Sequence, residues 1–265
     1  MTPSARSLAL AVLAVATSGM PSAWAQAPAN PPQQDAALPA PVAARFRVVL
    51  NASVWPASKT FADSRALTEY VEETTIRTSY EAGTGFGADI ALQVSLFRGF
   101  GVLVGYSRAS RDLTGQVDVS RPHPLYLKRH RDASAETSGY GLTEGALHLD
   151  LAYGRAAGHL DWALFAGATL FQVEADMLHS PTFNDSYPYD EMTIASTPSV
   201  TVKSSPTGFN VGGRLDYRFG SSRRFGAGVQ VLYSTASVTL QAPGATEATF
   251  DAGGLSVGGG VRVYF

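Results

Sequence analysis

The chain has 265 residues, no cysteine and a formal net charge of −2 at pH 7. This excludes a disulfide framework and attachment of lipid to an N-terminal cysteine, and it gives no electrostatic case for a nucleic-acid partner. No segment past the N-terminus approaches the ~20 apolar residues of a membrane-spanning helix, so any membrane role must be carried by strands.

The chain opens with one cation, Arg6, then an apolar run from Leu8 to Ala16, then Ala23-Trp24-Ala25 with small residues at the two positions a signal peptidase reads. That order predicts a secretory signal over residues 1–25, cleaved before Gln26. Residues 26–44 are rich in Pro, Ala and Gln without apolar periodicity and read as a disordered linker. From Arg45 to Phe265 the chain alternates with period two, the pattern of strands that show different faces to different surroundings.

In chain order, the first strand sets Phe46, Val48, Leu50, Ala52 and Val54 against Arg45, Arg47, Asn51 and Ser53. The second, Phe86 to Leu96, sets Phe86, Ile90, Leu92 and Val94 against Asp89, Gln93 and Ser95. Phe100 to Ser107, Thr143 to Tyr153 and Leu160 to Val173 fit less cleanly. Phe209 to Phe219 is the clearest case, with Phe209, Val211, Leu215, Tyr217 and Phe219 opposite Asn210, Arg214, Asp216 and Arg218. Phe225 to Ser234 and the final stretch from Gly254 to Phe265 complete the set. Short Gly-bearing connections (Arg98-Gly99, 154–158, 220–224) alternate with long polar stretches (56–84, 109–139, 174–206, 236–252), which read as loops. Tight turns at one end and long loops at the other describe an all-β, eight-stranded antiparallel up-and-down transmembrane β-barrel in the cell outer membrane of a Gram-negative cell.

A soluble lipocalin-type barrel also alternates, but its polar face meets water and should be crowded with charge. Here the polar face is mostly Gly, Ser, Ala and Asn, suited to the narrow interior of an eight-stranded barrel. Aromatics near the strand ends fit interfacial girdles: Tyr153, Trp162, Tyr217, Phe219, Phe225 and Phe265 at the turn end, and Trp55, Tyr106, Phe209 and Tyr233 at the loop end.

The terminal run Val261-Arg262-Val263-Tyr264-Phe265 resembles the last strand of bacterial outer-membrane proteins, with a final Phe and apolar residues at alternate positions before it. The resemblance, to the small OmpA/OmpX-type barrels, is one of architecture and spans Arg45 to Phe265. It implies that Val261, Val263, Tyr264 and Phe265 form an assembly signal read by the barrel-assembly machinery. Outer-membrane lipid and lipopolysaccharide are then the expected surroundings, with no peptidoglycan-binding domain.

The inward face should carry Asp89, Gln93, Glu144, His148, Asp150, Asp161, Arg214, Asp216, Arg218 and Arg262, with Arg45 and Arg47. Charges of both signs in a confined lumen predict an ionic network that plugs the barrel; Arg214 is expected at the depth of Asp89 and Glu144. A narrow channel for ions or small solutes is the alternative. A lipid-modifying enzyme is a further one, because Glu144, His148 and Asp150 share a face and Ser53, Ser95, Ser234 and Ser256 look toward the same lumen. No catalytic constellation, metal-ligand spacing or cofactor motif stands out. Among the loops, the segment bearing Arg121, Lys128, Arg129 and Arg131 is basic and suggests contact with lipopolysaccharide phosphates. The reading is an integral outer-membrane barrel with a structural or surface-interaction role exercised through its external loops, toward a ligand the sequence leaves unknown.

Overall fold

The computed structural model describes residues 45–265; the expected signal segment and linker lie outside them. The strands run β1 (Phe46–Trp55), β2 (Lys59–Glu69), β3 (Glu72–Ala82), β4 (Gly85–Phe97), β5 (Phe100–Pro122) and β6 (His130–Ala157). They continue as β7 (Leu160–Leu178), β8 (Thr182–Asp185), β9 (Met192–Ser196), β10 (Ser199–Ser204), β11 (Thr207–Phe219), β12 (Phe225–Leu240) and β13 (Ala248–Tyr264).

Eight of them close a ring in the order β1-β4-β5-β6-β7-β11-β12-β13, every neighbouring pair antiparallel. These are the eight strands that the alternation marks out. Closure joins the first strand to the last, with Val48 opposite Val263 and Leu50 opposite Val261. It leaves no unpaired edge in the ring, the condition a sheet must meet to sit in hydrocarbon. At one end the connections are tight; Arg98 (φ 50°) and Gly99 (φ 92°) form a two-residue turn with both centres in the left-handed region, as the twist of a hairpin favours.

Around the ring runs an exposed apolar belt: Leu50 and Phe46 on β1, Ile90 and Leu92 on β4, Val104 and Tyr106 on β5, Leu149 and Leu151 on β6, Leu164 and Leu170 on β7. Val211 and Leu215 on β11, Val229 and Val231 on β12, and Val257 and Val261 on β13 complete it. Leu151 is 73% exposed, which in water would forgo most of the transfer free energy of the side chain. The opposite face holds Asn51, Asp89, His148, Asp150, Asn210, Asp216 and Arg262, all buried. Apolar outside and ionic inside is the reverse of a soluble barrel.

The long stretches expected to be loops are largely strand. β5 and β6 run on together for 23 and 28 residues, β2 and β3 form a hairpin that adds to β5, and β10 adds to β7. Along β5 the outward residues change from Val102, Val104 and Tyr106 to Arg108, Ser110, Asp112, Thr114, Gln116 and Asp118, while the inward ones become Leu113, Val117 and Val119. β12 does the same: Val229, Val231 and Tyr233 point out below, whereas Ala236, Val238 and Leu240 point in above. The period of two is kept and the solvent on each face is exchanged. Above the belt the sheet is therefore a water-exposed module with its own apolar core, centred on Phe61, which stacks on Tyr80 at 4.9 Å and on Phe250 at 4.7 Å. A second cluster, Ile76, Val117, Val119, Leu178 and Met192, lies further along the same strands.

Three smaller expectations also change. Trp55 does not belong to the outer girdle; it has the parity of Asn51 and Ser53 and is buried at 5% exposure. Ser95 and Arg45, expected inside, sit at the turn end of the barrel and are exposed.

Candidate functional site: the barrel lumen

The inward side chains form tiers. At the turn end, Arg47 from β1, Arg218 and Arg214 from β11 and Arg262 from β13 surround Asp161 from β7 and Asp216 from β11. Arg47 reaches Asp161 at 3.0 Å and Asp216 at 3.1 Å; Arg218 holds Asp161 at 2.5 Å; Arg262 donates to Asp216 at 2.7 Å and to Asn51 Oδ1 at 2.6 Å. Tyr264 closes the tier from below, with the Arg218 and Arg47 guanidinium groups 4.1 and 4.8 Å from its ring centre. Four cations share two carboxylates, and the surplus falls on Arg214. Its side chain is wholly buried, its Nε lies 3.5 Å from Asp216, and none of its three nitrogens has a hydrogen-bond partner among the described residues.

The middle tier is neutral hydrogen bonding around two carboxylates. Asp89 accepts from Asn51 and Ser53, each at 2.7 Å, and Asp150 accepts from Asn210 at 2.7 Å. Ser107 Oγ lies 3.0 Å from His148 Nε2, and His148 Nδ1 lies 3.0 Å from Thr169 Oγ1. That looks like a nucleophile beside a base, but the chain of donors runs the wrong way. The Asn210 amide gives its two hydrogens to Asp150 and to Thr169 Oγ1 (2.8 Å), so the Thr169 hydroxyl is left to donate to His148 Nδ1. Nε2 then carries the ring proton and donates to Ser107, the opposite of what a general base for Ser107 requires. The adjoining cavity, lined by Asp89, Leu103, Gly105, His148, Phe165 and Gln230, measures about 20 Å³, room for about one water and not for an acyl chain. Among the described residues no three His, Asp or Glu side chains converge as a metal site.

At the mouth, Glu144 on β6 joins Lys59 at 2.5 Å, Arg111 at 3.4 Å and the backbone N–H of Gly253 at 2.9 Å. Gly253 takes φ +81° to present that N–H, a conformation glycine adopts without penalty. Arg111 also donates to the carbonyls of Ala57 (2.5 Å) and Gly83 (3.2 Å), so the ends of the β2–β3 hairpin are tied down onto the barrel. Burial pulls the Lys59 ammonium below its ordinary pKa against the attraction of Glu144.

The expected lumen residues Asp89, Glu144, His148, Asp150, Asp161, Arg214, Asp216, Arg218 and Arg262 are all buried inside the barrel. The expected meeting of Arg214 with Asp89 and Glu144 does not occur: Arg214 stands with Asp216, two residues away on its own strand, and Glu144 is satisfied from the hairpin. Asn51 and Asn210, placed on the polar face by the alternation but given no role, link the network together with Ser107, and Lys59 and Arg111 lay hidden in presumed loops. Arg111 was legible, since it alternates in step with Ala109 and Leu113.

The basic segment is largely neutralised from within. Arg121 pairs with Glu69 at 2.6 Å, Arg131 is buried against Asp185 at 3.1 Å, and Arg129 meets Asp190 at 2.8 Å. Burial opposes the charge of Glu69, but hydrogen bonds from Arg121 and Thr74 outweigh it and hold the carboxyl below its ordinary pKa. Lys128 alone of the four makes no side-chain ion pair with a described residue; its backbone N–H donates to Glu72 at 2.5 Å. In the terminal run, Val261 and Phe265 face outward and Tyr264 inward.

A closed antiparallel sheet belted by apolar side chains, with short turns at one end, is the build of the outer-membrane barrels. The chain is a closed eight-stranded antiparallel β-barrel with an apolar outer face. Among solved structures it is similar to the outer membrane protein OprG from Pseudomonas aeruginosa (12% identity, 83% of this chain and 95% of that one, TM-score 0.49). It is also similar to Neisserial surface protein A (12%, 83% and 97%, TM-score 0.40) and to the outer membrane protease OmpT from Escherichia coli (8%, 83% and 96%, TM-score 0.41). No protein-family profile matches the chain, and no curated protein does.

Proposed function

We propose that this barrel is a closed membrane anchor for a rigid extracellular platform, with a surface-interaction role. The observation that carries the reading is the exchange of inner and outer polarity along single strands. Strands that are lipid-facing below and water-facing above, continuous in β5 and β12 and with one bulge at Gly139 in β6, present their outer ends at a fixed height and orientation, as a loop on a hinge would not. Two blocks argue against conduction: the arginine–aspartate tier below, and the stack of Phe61 on Tyr80 and Phe250 above. Lipopolysaccharide and phospholipid would surround the belt, and the Val261–Phe265 stretch would serve the barrel-assembly machinery. Refolded protein in planar bilayers should give no steady unitary current, and protease added to intact cells should cleave only the tips near residues 70, 125 and 187. Large steady currents, or cleavage throughout 59–82 and 109–139, would defeat this reading.

A further inference from the structure

Outside the lumen, the charged side chains on the exposed rim at the turn end are of one sign. Arg98 sits in the β4–β5 turn, Arg155 beside the β6–β7 turn, Arg223 and Arg224 in the β11–β12 turn, and Arg45 at the foot of β1. None of these five forms an ion pair with a described residue, and the three turns contain no acidic side chain. Four of them are exposed and Arg223 is half-buried. The loop end is different: there Arg121, Arg129 and Arg131 are matched by Glu69, Asp185 and Asp190.

Two further observations make this more than an accident of composition. Arg98 and Arg223 hold φ of 50° and 51°, in the left-handed region that glycine or asparagine fills with less strain. Both side chains therefore project from tight hairpin turns whose backbone is fixed by the paired strands on either side. The arginines also alternate with exposed aromatics, as in Phe97-Arg98-Gly99-Phe100 and Arg223-Arg224-Phe225, and Arg155 is the register partner of lipid-facing Trp162. Aromatic rings at a barrel end mark the level where hydrocarbon gives way to headgroups, so the guanidinium groups stand at headgroup depth.

We propose that this collar of Arg45, Arg98, Arg155, Arg223 and Arg224 binds the phosphates of anionic phospholipids in the periplasmic leaflet. Guanidinium forks take phosphate oxygens in pairs, and a ring of them beside an apolar wall selects a phosphate that carries acyl chains over one free in solution. The surplus of arginine over aspartate in the lowest lumen tier adds to the same field.

The test uses the chain refolded into phosphatidylcholine vesicles that contain either phosphatidylglycerol or phosphatidylcholine with brominated acyl chains. Quenching of Trp162 reports lipid at the collar, and a Trp162→Phe control assigns the signal. Brominated phosphatidylglycerol should quench at about threefold lower mole fraction than brominated phosphatidylcholine, a preference lost near about 0.5 M salt. R98Q, R155Q, R223Q and R224Q combined should bring the two lipids level while a boiling-sensitive band shows that the barrel has folded; R155Q alone serves if the combination does not fold. K128Q with R129Q should change nothing. An absent preference in the parent, a preference that survives the collar substitutions, or one abolished by K128Q with R129Q overturns the proposal. So does its removal by inorganic phosphate beyond the effect of sodium chloride at equal ionic strength, which would make the collar a site for soluble anions.

Discussion

Replacing Arg214 by methionine should not weaken the barrel and should strengthen it. The guanidinium is wholly buried, none of its nitrogens is hydrogen-bonded to a described residue, and its nearest carboxylate already holds Arg47 at 3.1 Å and Arg262 at 2.7 Å. Each buried unsatisfied donor costs about 1–3 kcal/mol, and a fourth cation beside two carboxylates adds repulsion from its neighbours. Methionine keeps most of the length and returns these costs, so a gain of about 1–4 kcal/mol is expected, the range seen when buried ionic groups give way to packed apolar ones. Asp216→Asn is the opposite perturbation. It removes the only carboxylate of Arg262 and one of the two that hold Arg47, and should cost about 3–5 kcal/mol. Urea titration in phospholipid vesicles, read as loss of the boiling-sensitive band, gives both midpoints on one scale. If Arg214→Met falls toward the midpoint of Asp216→Asn, Arg214 is a keystone of the tier and the accounting of its contacts is wrong.

Polarity exchange along β5 can be probed at two positions on one face: Val104→Arg should cost about 2–4 kcal/mol for a cation in the belt, whereas Ser110→Arg should change stability by less than about 0.5 kcal/mol. Equal losses in the same urea titration would move the membrane boundary. In the module, burial raises the pKa of the Asp63 carboxyl above its ordinary 3.8, against the charge of Arg65 and a hydrogen bond from Tyr80. A raised carboxyl favours the folded state below its unfolded pKa, and that stabilisation is lost as pH rises through the folded value. Amide protection of β2 and β3, corrected for the intrinsic pH dependence of exchange, should therefore fall from pH 4 upward in the parent, and Asp63→Asn should flatten that part of the profile; an unchanged slope would show that Asp63 does not set it.

The ring was legible because lipid and lumen impose opposite demands on successive residues, and Phe209 to Phe219 states them without ambiguity. The module was equally periodic: Leu113, Gly115, Val117 and Val119 alternate with Thr114, Gln116, Asp118 and Ser120. It was missed because a strand was expected to end at the length that crosses a bilayer, and because polar outward residues were taken for loop. Trp55 was misplaced by giving aromatic identity more weight than parity with Asn51 and Ser53. Arg214 was matched with Asp89 and Glu144 by counting residues along strands, but strands in a barrel are tilted and staggered, so equal counts on different strands are not equal depths. The charge balance of the basic segment was out of reach for a different reason. Its acids come from Glu69, Asp185 and Asp190, distant in sequence and brought to it only by the hairpins.

Because β5, β6, β7, β12 and β13 each serve both the lipid-embedded ring and the water-exposed core, no peptide segment separates the two for those five strands. Module and ring share the same hydrogen-bond ladders, so the register set in one is carried into the other. What stands above the belt is thus not an appendage on a stalk but the upper storey of a single sheet, continuous with the ring beneath it.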